Sequence, residues 1–177
     1  MNPDATGAGP PPAGHAVINI RQAVPGDIPL ILQFVRELAA YEKLLGEVEA
    51  TEERLRLTLF PKSGPAAASV LIGEIAGIAA GFAVYFFNYS TFLARPGLYL
   101  EDLFVRPQAR GNGLGKALLL HLAGLAATKG CGRMEWSVLD WNQPAIEFYT
   151  RIGAAPLDDW TTFRIAGGAL RGLRTQK

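Results

Sequence analysis

LYLEDLFVRPQARGNGLGKALLLHLAG, residues 98–124, decides the reading of this chain. It opens as an apolar strand over Leu98–Val105, passes through a basic, glycine-rich turn, and continues as a helix from Leu114 to about Lys129. Glycines let backbone approach a ligand closely and adopt positive φ. A helix start offers unpaired N–H groups and a partial positive charge. A turn of this build is suited to an anion, phosphate above all.

The elements on either side follow from apolar spacing and turn residues. Val17–Arg21 alternates as a short strand. Pro25-Gly26-Asp27 breaks it, and Asp27 is suited to cap a helix that runs to about Tyr41 on Ile28, Ile31, Val35 and Leu38. Thr51-Glu52-Glu53 opens a second helix with Leu55 and Leu59 inward. Ser69–Ile75 and Ile78–Asn88 read as strands joined at Ala76-Gly77. Arg133–Leu139 is a strand. Asn142 to Ile152 is a helix with Pro144 in its first turn and Gly153 past its end. Ala155–Leu157 and Thr161–Ile165 look like a last strand pair. The order β-α-α-β-β-β-α-β-α-β-β predicts a mixed α/β fold, antiparallel in its first half, with a βαβ crossover in its second.

The chain has 177 residues and a formal net charge of +1. That length suits one domain, expected over 17–177 behind a Gly, Pro and Ala-rich flexible tail at 1–16. A balanced charge gives no broad field for nucleic acid. No stretch reaches the roughly 18 apolar residues of a membrane span, and the start lacks the pattern of a signal peptide. One cysteine and two histidines make no metal cluster, and a lone Cys131 fits a reducing compartment. The expectation is a cytoplasmic protein without metal, membrane or nucleic-acid partner.

Three phosphate patterns compete for the turn. A Walker loop needs glycine where Arg110 stands and Ser or Thr where Ala117 stands. A dinucleotide fingerprint needs a third glycine at Lys116, and the acid about twenty residues on, Glu135, begins its strand rather than ending it. The third pattern, Arg/Gln-x-x-Gly-x-Gly, is met by Arg110, Gly113 and Gly115 and makes a pyrophosphate cradle for coenzyme A. A plain tight turn remains open at this point.

Two carboxylates, Glu101 and Asp102, interrupt the strand before the turn. Adjacent strand residues alternate, so they are expected on opposite faces of the sheet. Desolvating an ion is costly, so each needs solvent, a partner or a task. One task is chemical. An alkylammonium, with a pKa of about 10.4, cannot attack a carbonyl until it loses a proton. A carboxylate in a cleft can bind it and take that proton. On the helix after Asn142, Ala145, Phe148, Tyr149 and Ile152 share a side, which turns Tyr149 inward. A buried tyrosine with a satisfied hydroxyl is the plain reading; a phenol that donates to a leaving thiolate is the sharper one.

Three stretches, ELAAYEKL (37–44), YLEDLFVRPQARGNGLGKALL (99–119) and DWNQPAIEFYTRIGA (140–154), resemble the GNAT superfamily of N-acetyltransferases, and within it the diamine branch. The likeness runs from about Ile18 to Ile165. It implies the GNAT fold, acetyl-CoA as donor and a small primary amine as acceptor, transferred directly in a ternary complex. It implies a homodimer. The catalytic residues it implies are Tyr149 as general acid and Glu101 as the amine-binding group and base. For the donor it implies the backbone of Leu103, Phe104 and Val105, the turn Arg110, Gly111, Asn112, Gly113, Leu114, Gly115 and Lys116, and the helix start Asn142, Pro144 and Ala145. For the amine it implies Tyr41, Glu42, Glu101, Asp102, Glu135 and Trp136. No acidic surface for a long polycation is evident, so a lysine-like or thialysine-like amine is as plausible as spermidine. Acetylation of proteins or peptides, and a non-catalytic acyl-CoA-binding module, are the alternatives.

Overall fold

Strand β4 (Arg95–Val105) organises the sheet. It pairs antiparallel with β3 (Ile78–Ser90) on one side and parallel with β5 (Arg133–Trp136) on the other. Beyond β3 lie β2 (Ser69–Ile75) and β1 (Ile18–Gln22), both antiparallel to their neighbours, so the spatial order is β1-β2-β3-β4-β5. The computed structural model describes residues 17–173. The expected tail at 1–16 lies outside them. The sheet is mixed, as the sequence predicts, and β4 and β5 are joined through α3 (Leu114–Thr128) as a βαβ crossover.

The β2–β3 connection falls at Ala76-Gly77, as expected. Both residues have positive φ, +51° and +77°, the combination of a two-residue hairpin turn whose twist matches the strands. Helix α1 (Ile28–Tyr41) covers one face of the sheet. Its Ile31 and Phe34 pack with Val70, Ile72, Phe82 and Phe104, all at most 2% exposed. Phe34 stacks on Phe82 at 5.3 Å between centroids, and Phe104 meets both edge-on. Helix α2 (Glu52–Leu59) adds Leu55 and Leu59 to this side. The N–H of Arg54 donates to the Thr51 hydroxyl, which caps the helix.

Arg106, just past β4, fastens α1 to the strand end. Its Nε and Nη2 donate to the Glu37 carboxylate at 2.8 and 2.9 Å, and its guanidinium lies 4.7 Å from the Phe34 ring centroid. Asp27 does not cap α1 through its side chain. Its carboxylate turns back to accept from the Val24 N–H and from Arg21, because a bidentate guanidinium is the stronger partner.

β3 and β4 approach closely where Gly81 faces Val105. A Cβ at Gly81 would lie 2.5 Å from the Phe104 carbonyl oxygen and 3.2 Å from Val105 Cα. Both are backbone atoms that cannot turn aside. Gly81→Ala is expected to destabilise the protein by about 1–3 kcal/mol, lowering the melting temperature by several degrees in a thermal scan. An unchanged melting temperature would show that the strands can part there.

The chain divides into two compact units, one ending at Ser137 and one beginning at Val138. The second carries α4 (Gln143–Arg151), with Pro144 in its first turn and Gly153 past its end at φ +91°, and then α5 (Gly167–Gly172). The strand pair expected at 155–157 and 161–165 does not form. Trp160 is 73% exposed and Phe163 91%. A strand is held by a neighbour that pairs its N–H and C=O groups, and alternation alone supplies none. Among the described residues no helix is long and apolar enough to cross a membrane.

Candidate active site

The ladder between β3 and β4 slips at one place. Val84 faces Asp102, and the next residue, Tyr85, faces Leu100. Glu101 has no partner on β3, so it is the extra residue of a β-bulge. The bulge reverses the alternation along β4. Leu98 and Leu100 share a face with Phe87 and Tyr85, whereas Phe104 and Asp102 share the opposite face with Phe82 and Val84. That second face is the one α1 covers. The expectation that Glu101 and Asp102 point apart is therefore corrected. Glu101 follows Leu100 and turns to the α1 side, and the bulge brings Asp102 there too. The negative charge of Glu101 acts on Asp102 accordingly.

Beside Asp102 lies a cavity of about 330 Å³. Val35, Leu38 and Ala39 of α1, with Leu44 and Val48 from the following segment, form its apolar wall. Glu42, Glu47, Glu49 and Asp102 are its acidic lining residues, of which Glu42 and Asp102 are half-buried and Glu47 and Glu49 exposed. Helix α1 ends where this wall begins. The Leu44 N–H reaches back to the Ala39 carbonyl at 2.8 Å, and Lys43 takes a left-handed φ of +63°. That reversal turns the chain 44–50 along the helix end. Arg54 pairs with Glu49 at 3.2 Å in an exposed contact, and no Lys or Arg is among the described residues that line the cavity.

The electrostatics follow from this crowding. Burial, then the charge of Glu101, then that of Glu42 push the Asp102 carboxyl up to about 6. Burial alone raises Glu42. The negative charges of Glu101 and Glu42 thus disfavour the ionised form of Asp102. The raised Asp102 also binds its proton more tightly folded than unfolded. Its contribution to stability is therefore present at low pH and lost as pH rises through about 6. Asp102→Asn is expected to raise the melting temperature near pH 8, by an amount worth roughly 3 kcal/mol at most, and to match wild type near pH 4. Equal shifts at both pH values would deny Asp102 its strained carboxylate.

On its other edge β4 opens. Pairing with β5 runs from Gly97↔Arg133 to Leu100↔Trp136 and stops there, at the bulge. Leu103, Phe104 and Val105 thus carry a strand edge without β5 pairing, which an extended amide-bearing chain can join. The turn that follows holds Gly111 at φ +81° and Gly113 at +85°. A Cβ at either would meet nothing closer than the Ile18 Cδ1 atom, 3.9 Å from Gly113, so positive φ requires glycine there and the outer side is open. The first helical hydrogen bond of α3 runs from the Ala117 N–H to the Gly113 carbonyl at 2.9 Å. The N–H groups of Leu114, Gly115 and Lys116 therefore have no acceptor within the helix. The Asn112 side chain donates to the Ala109 carbonyl at 3.1 Å and braces the turn. Lys116 is exposed. An edge open to amides, followed by a turn whose N–H groups are open to an anion, has the chemistry of a site for the two ends of coenzyme A.

The remaining predicted residues are placed as follows. Tyr41 ends α1 and lies 4.5 Å, ring centroid to guanidinium carbon, from Arg110. Glu135 is tied to Arg133 at 2.9 Å and accepts from the Asn88 amide at 3.4 Å. Trp136 is half-buried at the last β4–β5 pair. Asn142 stands before α4, where its carbonyl accepts from the N–H groups of Ala145 and Ile146 and its side chain makes no cap bond. Tyr149 lies on α4, its ring 5.3 Å from that of Phe148, and burial raises its phenol above the ordinary value. Glu47 and Glu49 were not among the expected site residues. Their signal in the sequence is slight: two acids spaced around Val48 in a short segment after a helix.

Comparison with known proteins bears on the family. The family model described as the acetyltransferase (GNAT) family matches residues 34–154. A thialysine N-epsilon-acetyltransferase of Bos taurus is 40% identical over 167 residues, covering 89% of this chain and 98% of that protein. An L-ornithine N5-acetyltransferase of Arabidopsis thaliana is 32% identical, covering 92% of this chain and 90% of that protein. Among solved structures, an integron cassette protein from the mobile metagenome of V. cholerae superposes with a TM-score of 0.75 at 27% identity, over 90% of this chain and 98% of that one. The bulged strand, the open edge, the glycine turn and these relatives lead to one assignment: the chain belongs to the GNAT family of acetyltransferases.

Proposed function

We propose that this enzyme transfers the acetyl group of acetyl-CoA to a primary amine of a small dibasic molecule, a short diamine or a basic amino acid of the lysine, ornithine or thialysine kind. The observation that carries the proposal is the cavity in which Asp102, under the negative charges of Glu101 and Glu42, lies beside an apolar wall, with the exposed Glu47 and Glu49 also in the lining. Its relatives named for thialysine and ornithine support the same class. An apolar wall suits a methylene chain, and several carboxylates suit more than one positive charge.

The donor supplies an activated thioester. The chain's residues do the rest. The edge of Leu103–Val105 receives the amide arm, and Arg110 with the N–H groups of Leu114, Gly115 and Lys116 receives the phosphates. Asn142, Pro144 and Ala145 are proposed to touch the same arm. Glu101 and Asp102 bind the ammonium on the α1 side of β4. A carboxylate near 6 is a better base than an ordinary aspartate, which makes Asp102 suited to accept the proton, with Glu101 orienting the amine. The neutral nitrogen then forms the C–N bond as the C–S bond breaks, its second proton passes to solvent, and Asp102 releases the first to solvent. Tyr149 gives its phenolic proton to the sulfur and regains it from solvent. Supporting this role are its motif match and a phenol that burial keeps protonated.

The test is mass spectrometry of the products formed from acetyl-CoA with diamines, basic amino acids, spermidine and lysine-containing peptides. Acetylation of the small dibasic amines supports the proposal. Acetylation of peptides alone would favour a protein acetyltransferase. Saturable coenzyme A binding without any product would favour a binding module.

A further inference from the structure

We infer that Tyr41 is a positioning residue for the donor: its ring holds the Arg110 guanidinium ready for the phosphates, so Tyr41 serves the donor rather than the amine. The inference rests on the proposed use of the glycine turn as the phosphate site.

Arg110 immediately precedes the two left-handed glycines. It is an exposed residue on a mobile type of side chain, and gripping an anion would normally freeze several of its rotors. Here it is already held at two points. Its Nε donates to the Val105 carbonyl at 3.0 Å, and its guanidinium carbon lies 4.5 Å from the centre of the Tyr41 ring. Its two terminal nitrogens meet no acceptor among the described residues. That separates it from Arg21 and Arg106, whose terminal nitrogens are committed to Asp27 and Glu37. Two holds on the inner part of the group leave an oriented fork for phosphate oxygens. The platform is itself fixed, because Tyr41 packs against the core cluster under α1 and closes that helix. The next residue, Glu42, lines the amine cavity, so one helix end serves both substrates through adjacent residues.

The experiment measures equilibrium binding of coenzyme A and of pantetheine, which lacks the phosphates, to wild type, Tyr41→Phe, Tyr41→Leu, Arg110→Ala and the Tyr41→Leu/Arg110→Ala double variant. Tyr41→Phe keeps the ring face and is expected near wild type. Tyr41→Leu is expected to weaken coenzyme A about 3- to 10-fold and leave pantetheine unchanged. In the Arg110→Ala background it is expected to add nothing. Equal weakening of both ligands, or the same factor in both backgrounds, would overturn the inference and make the ring a packing element. So would a Tyr41→Leu variant that binds coenzyme A as wild type does. If wild type binds coenzyme A no better than pantetheine, the phosphate-site reading itself fails. Should Tyr41→Leu fold poorly, Tyr41→Met takes its place in the same cycle, keeping apolar bulk against the core without a ring face.

Discussion

Tyr149→Phe is expected to lower kcat by roughly 10²-fold or more while leaving the dissociation constant of coenzyme A within about twofold of wild type. The substitution removes one oxygen and preserves the ring that packs beside Phe148. A group that acts only as sulfur departs belongs to the transition state, so its loss appears in kcat and not in donor binding. Burial raises the phenol, which keeps its proton in place across the pH range where amines are assayed. Parallel losses in kcat and coenzyme A affinity would make Tyr149 a structural residue of α4.

Asp102→Asn is expected to cost about 10²-fold or more in kcat/KM for the amine, with coenzyme A binding unchanged. Charge is what the substitution removes. In wild type, kcat/KM should fall as pH drops through about 6, because the protonated Asp102 neither attracts an ammonium nor accepts its proton. Glu42 contributes to that raised value. Glu42→Gln removes one nearby negative charge, so the acid limb should move to lower pH. The same Asp102→Asn substitution that removes activity should stabilise the fold at neutral pH, the pattern of a strained functional group. An acid limb that stays fixed in Glu42→Gln would separate the two carboxylates and refute the shared cavity.

Much of the fold could be read from residues 98–124, because strand, turn and helix there are specified locally. Positive-φ glycines, a helix start and an apolar period all lie within a few residues of one another. The Ala76-Gly77 hairpin was legible for the same reason. The bulge at Glu101 was not. It exists only in the register between β3 and β4, and two adjacent acids carry no mark of it. That single slip puts Leu100 and Asp102 on opposite faces, Asp102 on the α1 side, and it lies where the β5 pairing stops. The segment 155–165 failed for the opposite reason: its alternation was clear, but a strand depends on a neighbour that sequence cannot supply. Glu47 and Glu49 reach the cavity through the chain reversal after Lys43, where a left-handed lysine does what glycine usually does.

The most direct measurement compares the rate of coenzyme A thiol release with a short diamine and with the monoamine of the same chain length. Both offer the same nucleophile and the same stem. They differ by one positive charge, which is what a cavity with Asp102 and Glu42 in its lining should recognise. The account predicts at least a tenfold preference for the diamine in kcat/KM, diminished in Glu42→Gln. Equal rates for the two amines would contradict it, because an acidic cavity that ignores the second charge is not where the acceptor binds.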